Sequence, residues 1–233
     1  MFLVDFFLKR FVWMLFPALI MLTQIGIEVF VPDRYMADLH SETGPHEYLQ
    51  ALILCPAVFL ALRLVTIAPS VAIRLWGGLA LCGSIYVLGE ELSWGQHWFE
   101  WATPEYWKTL NDQEETNLHN TSSWLDQKPR MALEVGVIVC GILIPLLQKF
   151  YSKAVPKILS PILGSVEVIP CALFFVFLKV TDKSFGAFDR HLFWRSSEVE
   201  EIYLFLFVVI YLAVLCRRFQ TAGIPETAAS GSP

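Results

Sequence analysis

The sequence predicts an all-α, polytopic helical membrane protein with about six transmembrane helices and a long outer loop between helices three and four. Composition is the first support. Of 233 residues, 55% are hydrophobic and only 17% charged, with a mean hydropathy of +0.53. A soluble domain carries about 25% charged residues and 45–50% apolar ones. The second support is that the apolar excess falls in runs long enough to cross about 30 Å of hydrocarbon, which takes roughly 20 residues of helix. The third is that a net charge of −5, with no basic block, argues against nucleic acid as a partner. The lipid bilayer is the expected surrounding.

Six stretches qualify, at about 11–31, 47–68, 70–92, 131–149, 157–179 and 199–217, within a single domain spanning 1–218. The first run is too long for a cleaved signal peptide, and no small-x-small site follows Val31 before Pro32-Asp33. Only Ala68-Pro69-Ser70 joins the second and third stretches, so they read as a tight helical hairpin. Some charge-free cores are nearer 15 residues, such as Ile202 to Cys216, and rely on flanking charged side chains reaching the interface. The tail at 219–233 is rich in Ala, Ser, Gly and Pro and reads as disordered. The five cysteines each fall in a different apolar run and read as small packing residues.

Threading six spans puts Lys9, Arg10, Arg63, Arg74, Lys149, Lys153, Lys157, Arg217 and Arg218 on one side, at about twice the density of Lys and Arg on the other. The positive-inside rule then places both termini in the cytoplasm, with a bacterial inner (plasma) membrane as the expected location. On the same threading all five histidines, nearly all the acids and six of the eight tryptophans lie on the outer side. Loops held by a rigid scaffold commonly carry chemistry, so the outer side is the expected working face. Tryptophan also favours membrane interfaces in any protein, and an interfacial belt accounts for the aromatic cluster equally well.

Four groups of residues could carry function. The third span ends in Glu90-Glu91-Leu92-Ser93-Trp94-Gly95-Gln96-His97. If the helix continues, Glu90, Trp94 and His97 share a face and Glu91 lies about 100° round. Adjacent glutamates at the end of an apolar helix repel one another unless a donor or cation intervenes, a setting suited to a general acid or base. Both could equally reach into interfacial water. The second group is Glu115-Thr116-Asn117-Leu118-His119-Asn120. On a helix Glu115 and His119 could grip one divalent metal such as zinc, with Asp189 and His191 completing the set. A solvated polar helix is the plain alternative. Gln96, Asn117, Asn120, Arg190 and Arg195 are candidates for holding a substrate head group.

The third group is Asp189-Arg190-His191, followed by Arg195 and Ser197-Glu198-Val199-Glu200-Glu201, in which Ser197 and Glu200 read as a capping box opening the sixth span. The fourth is a pair of intramembrane acids, Glu134 near the outer end of span four and Glu167 midway along span five between Pro161 and Pro170. An ionised carboxylate at that depth is costly, so each needs a proton, a partner or a wet cavity.

The strings Glu90-Glu91-Leu92-Ser93-Trp94-Gly95-Gln96 and Glu115-Thr116-Asn117-Leu118-His119-Asn120 resemble the signature of a group of bacterial polytopic membrane proteins, a resemblance that implies no particular activity. Glu90-Glu91 also matches the start of the E-E-x-x-x-R motif of CAAX-type intramembrane proteases. Gly95 stands at the arginine position, however, and no histidine has Phe four residues before it. Alkaline-ceramidase-like hydrolases pair two histidines as H-x-x-x-H, and His191 has no such partner.

Three functions follow as expectations. The first is a metal-assisted hydrolase or transferase acting on a lipid or lipid-linked substrate at the outer face, with Glu90, Glu91 and His119 catalytic. The second is a proton-coupled transporter using Glu167, Glu134 and Glu90. The third is a non-catalytic subunit of an envelope complex with membrane-protein partners.

Overall fold

A computed structural model describes residues 1–39, 44–110, 115–118, 121–151, 155–188 and 191–222, leaving aside the side chains of Asp38, His97, Ser123, Leu125 and Asp126. Every regular element among the described residues is helical. Five helices are long and apolar enough to cross a membrane: α1 (Phe11–Phe30), α2 (Pro45–Ile67), α3 (Val71–Glu91), α4 (Gln127–Phe150) and α6, whose apolar stretch is Ser196–Thr221. Between the last two lies α5 (Ile169–Gly186), whose eighteen residues carry Lys179, Asp182 and Lys183.

The helix α6 is the core of the bundle. Its sequence is apolar on all sides from Ile202 to Cys216, and a helix of that kind is stable only when surrounded. Its apolar stretch is 89% buried, against 17% for α3 and 11% for α4. On α2, Leu54, Ala57, Leu60, Ala61 and Leu64 form a helical stripe with essentially no exposure, and this stripe packs along α6. Tyr203 ties α1 to the same core: its hydroxyl donates to the Pro17 carbonyl at 2.8 Å, and its ring stacks on Phe174 of α5.

The hairpin between α2 and α3 forms as its sequence predicts. Ser70 caps α3, its hydroxyl accepting from the Ile73 amide. Gly77 lets α3 approach Leu64 and Val65 closely, because an added Cβ would lie 3.2 Å from both. On α4 a π-helical turn at Val139–Leu143 contains Gly141, where a Cβ would run into Ala172 of α5 and Phe207 of α6. A small residue at such a crossing allows close approach in lipid, where van der Waals packing holds helices together.

The expected continuous span over 157–179 is corrected. The chain makes a short 3₁₀ helix at Lys157–Ile162, an extended break, a second 3₁₀ turn at Val166–Val168, and only then enters α5. Pro156, Pro161 and Pro170 explain the interruption, since each removes a backbone donor. The carbonyls left over need partners elsewhere in the protein. Arg218 supplies them, donating to Ser160, Pro161 and Leu163 at 3.1, 2.6 and 2.8 Å, and the Tyr211 hydroxyl donates to Ile162 at 2.6 Å. Glu167 therefore sits in the 3₁₀ turn just before α5, near Arg218 and accepting from the Ser165 hydroxyl, rather than midway along a span. At the C-terminus α6 continues through Ala222, past the point where the tail was expected to begin, and 223–233 lie outside the described residues.

Candidate functional site

Cross-links between helices show which ends meet. His46 at the start of α2 bonds Gln24 of α1 at 2.9 Å, and Gln50 donates to Glu198 of α6 at 3.0 Å. Arg130 on α4 pairs with Glu200 and Glu201 of α6, while Asp182 of α5 accepts from Ser196. The C-terminal ends of α1, α3 and α5 thus share one end of the bundle with the N-terminal ends of α2, α4 and α6. Two polar clusters stand there, and they differ in character.

The first is a loop clamp. The helix α3 ends at Glu91, close to the expected end of the third span at about 92, so the face that Glu90, Trp94 and His97 would share on a continued helix is not formed; Ser93, Trp94 and Gly95 all take positive φ (42°, 54° and 94°). Left-handed backbone at three successive positions is costly for the two that are not glycine and persists only when surroundings enforce it. The enforcement is visible. The Trp94 ring folds back onto Gly89, where a Cβ would come within 2.9 Å of it, and its indole N–H donates to Glu90 at 2.7 Å. The other Glu90 oxygen accepts from the Leu118 amide at 2.7 Å.

Ser93 donates to Glu115 at 2.6 Å, and Asn117 donates to the same Glu115 oxygen at 2.6 Å. Gln96 accepts from both the amide and the hydroxyl of Thr116, and donates to Thr103. The two motif strings are therefore stitched to each other by their own side chains. Glu115–Leu118 is irregular rather than helical, and His119 lies outside the described residues.

The second cluster is a charge network between α4, α5 and α6. Arg130 reaches Glu134, Glu200 and Glu201 at 3.3, 2.9 and 2.8 Å, and Lys179 reaches Glu134 and Glu200 at 2.8 and 3.0 Å. Glu200 was expected to cap α6, but its carboxylate is committed to Arg130 and Lys179 instead. Buried ions need such pairing because desolvation costs several kcal/mol per charge.

Beside this network lies a cavity of about 820 Å³ between α3, α4 and α6. Its polar end is formed by Glu47, Glu90, Glu91, Arg130, Arg195, Glu198 and Glu201. From there it runs past Ala80, Gly83, Leu133 and Gly136 to Trp76 and Tyr211. Trp76 and Glu91 are fifteen residues apart on α3, so the cavity extends about 22 Å along the helix. Glu91 projects among Glu47, Glu198 and Glu201, with Arg130 as the nearby cation, and among the described residues it makes neither a hydrogen bond nor an ion pair.

The expected site residues are thus divided. Glu90, Gln96, Glu115 and Asn117 belong to the clamp, and Glu91 and Arg195 line the cavity, Arg195 pairing with Glu198 at 3.0 Å. Glu134 is held in the charge network, and Glu167 is at the opposite end of the bundle. His191 is exposed. His119, Asn120, Asp189 and Arg190 lie outside the described residues. Among the described residues no three His, Cys, Asp or Glu side chains are grouped to hold a metal ion, and Glu115 is engaged by Ser93 and Asn117.

Sequence reasoning missed Glu47, Arg130 and Lys179, and it included Glu198 and Glu201 in the third group without giving them a role. The available signal was helical spacing: Arg130–Glu134 at i, i+4 and Glu198–Glu201 at i, i+3 each place charge on one face just inside a span. No protein-family profile, curated protein or solved structure matches this chain.

Proposed function

We propose that this protein is a membrane-embedded enzyme, a hydrolase or transferase, that acts on a lipid or lipid-linked amphiphile. One observation carries the reading: the cavity is polar and carboxylate-rich at one end and apolar for the rest of its length. An amphiphile lying along α3 would set its head among Glu47, Glu91, Arg130, Arg195, Glu198 and Glu201 and its chain between α3, α4 and α6. The volume is within the range of about 300–1,000 Å³ found for small-molecule sites. Glu91 is the proposed acid/base. It would take the proton of the water or hydroxyl that attacks the head-group linkage, then return it to the departing oxygen. Glu90 is better suited to architecture, because both its oxygens are engaged by the loop.

The finer topology belongs to the same proposal. α5 would complete a sixth crossing, the polar end would face away from the cytoplasm, and both termini would lie inside. A metal held by His119 or Asp189 is not needed for the proposed role of Glu91. The transport reading draws less support, because Glu134 and Glu167 sit at opposite ends of the bundle.

The test is incubation of the purified full chain with a total membrane-lipid extract, followed by lipid mass spectrometry. A product formed by the wild type and lost in Glu91→Gln and in Gly136→Leu is expected. An unchanged lipid profile for the wild type, or equal turnover in Glu91→Gln, would contradict the enzymatic reading.

A further inference from the structure

We infer that the head group taken by this cavity is cationic, so the ligand is a long-chain amphiphile bearing an amine or quaternary ammonium. The inference rests on the amphiphile reading above and specifies its chemistry. Five carboxylates line the cavity (Glu47, Glu90, Glu91, Glu198, Glu201) against two guanidinium groups, Arg130 and Arg195. Both guanidinium groups are already engaged by carboxylates: Arg130 by Glu134, Glu200 and Glu201, and Arg195 by Glu198. A phosphate or carboxylate head would have to displace these partners and would meet further negative charge.

Glu91 is the independent sign of a missing partner. It is half-buried, and the cavity provides the access it has. Among the described residues it has no hydrogen-bond donor, and its carboxylate neighbours Glu47, Glu198 and Glu201 repel it. A half-buried carboxylate ringed by other carboxylates is stabilised by a cation that reaches it through the cavity. An ammonium is such a cation. A divalent metal fits less well, since it requires several ligands converging to about 2.0–2.2 Å and no such group occurs among the described residues. An ammonium tolerates carboxylates spread over a wider shell.

The remainder of the cavity suits a chain. At Gly83 on α3 and Gly136 on α4 an added Cβ would meet nothing within 4 Å, so both glycines border open space. At the end away from the carboxylates the polar atoms satisfy one another, with the Trp76 indole donating to the Tyr211 hydroxyl at 2.9 Å and that hydroxyl donating to Ile162. That end therefore presents mainly apolar surface.

Photo-crosslinking of the full chain in detergent solution tests the inference. The probes are diazirine-bearing dodecylamine, dodecyltrimethylammonium, dodecyl phosphate and dodecanol, with label mapped by mass spectrometry to the Leu79–Val87 and Leu133–Cys140 segments. The two cationic probes are expected to label these segments most strongly. Glu91→Gln is expected to lose about tenfold in cationic labelling, the effect of removing one charge-assisted contact, with dodecanol unaffected. Glu91→Asp, which keeps the charge, should retain cationic labelling. Equal or stronger labelling by dodecyl phosphate or dodecanol, or cationic labelling indifferent to Glu91→Gln, would overturn the cationic head while leaving an amphiphile cavity standing. Failure of all four probes to label these segments would overturn both readings.

Discussion

Glu90 and Glu91 are adjacent, carry the same carboxyl, and end the same helix, yet they serve regions with opposite physics. Glu90 turns into the loop clamp, where an indole N–H and a backbone amide take its two oxygens. Glu91, about 100° round the helix, turns into the cavity and meets other acids. The clamp holds its shape through hydrogen bonds among its own side chains, although Asn117 Oδ1 stays buried without a partner. The cavity wall leaves the half-buried Glu91 carboxylate without a hydrogen bond among the described residues. Polar groups that satisfy one another hold a shape, whereas a carboxylate reached through a cavity is open to a ligand.

Substitutions can break or sharpen this contrast. The largest effect is expected at the charge network that braces the cavity. Arg130→Met would leave Glu134, Glu200 and Glu201 facing each other with only Lys179, at a cost of about 3–5 kcal/mol. Denaturant titration of the detergent-solubilised chain measures it. A cost under about 1 kcal/mol, the level of a surface pair, would show that the network is solvated.

Next comes the clamp. Glu90→Gln turns an amide NH₂ toward one of two N–H donors, and about 2 kcal/mol of stability should be lost in the same titration. Glu91→Gln should cost nothing or stabilise, because it relieves repulsion. Equal losses from the two variants would erase the distinction between them.

Gly141 and Gly136 offer the same contrast on a single helix. Gly141→Ala drives a methyl into Ala172 and Phe207 and should cost about 1–3 kcal/mol, while Gly136→Ala enters open space and should be neutral. The smallest effect is expected at His191, which is exposed. Its change to Ala should stay within about 0.5 kcal/mol.

Much of the architecture was legible because it follows from hydrophobicity and helical spacing. The apolar runs, the Ala68–Ser70 hairpin and the gathering of acids at one end all follow from patterns along the chain. The break before α5 was harder to see. Ile158 to Val168 is apolar enough to read as span, and only the three prolines, together with an arginine fifty residues away, explain why it does not form one. The clamp was not legible for a related reason. A helix carried past Glu91 puts Trp94 and His97 on the face of Glu90, but three left-handed residues end it there, and their enforcement comes from residues 115–118 across the loop.

Glu91 was singled out from its sequence neighbours alone, and so was Arg195. Arg130 was not, and Glu198 and Glu201 were given no role, because their significance depends on which helices meet, and that information is long-range. Glu115 was singled out as a metal ligand, and the same carboxylate chemistry equally suits the hydroxyl and amide that engage it in the clamp.

The most direct test is native mass spectrometry of the full chain released from detergent, comparing the wild type with Gly83→Leu/Gly136→Leu. The wild type should carry one tightly held amphiphile. The double variant, which fills the open space with side chains, should be empty while denaturing at the same midpoint. An equally occupied double variant, or a wild type that never carries an amphiphile even when one is supplied in excess, would contradict the assignment of this cavity.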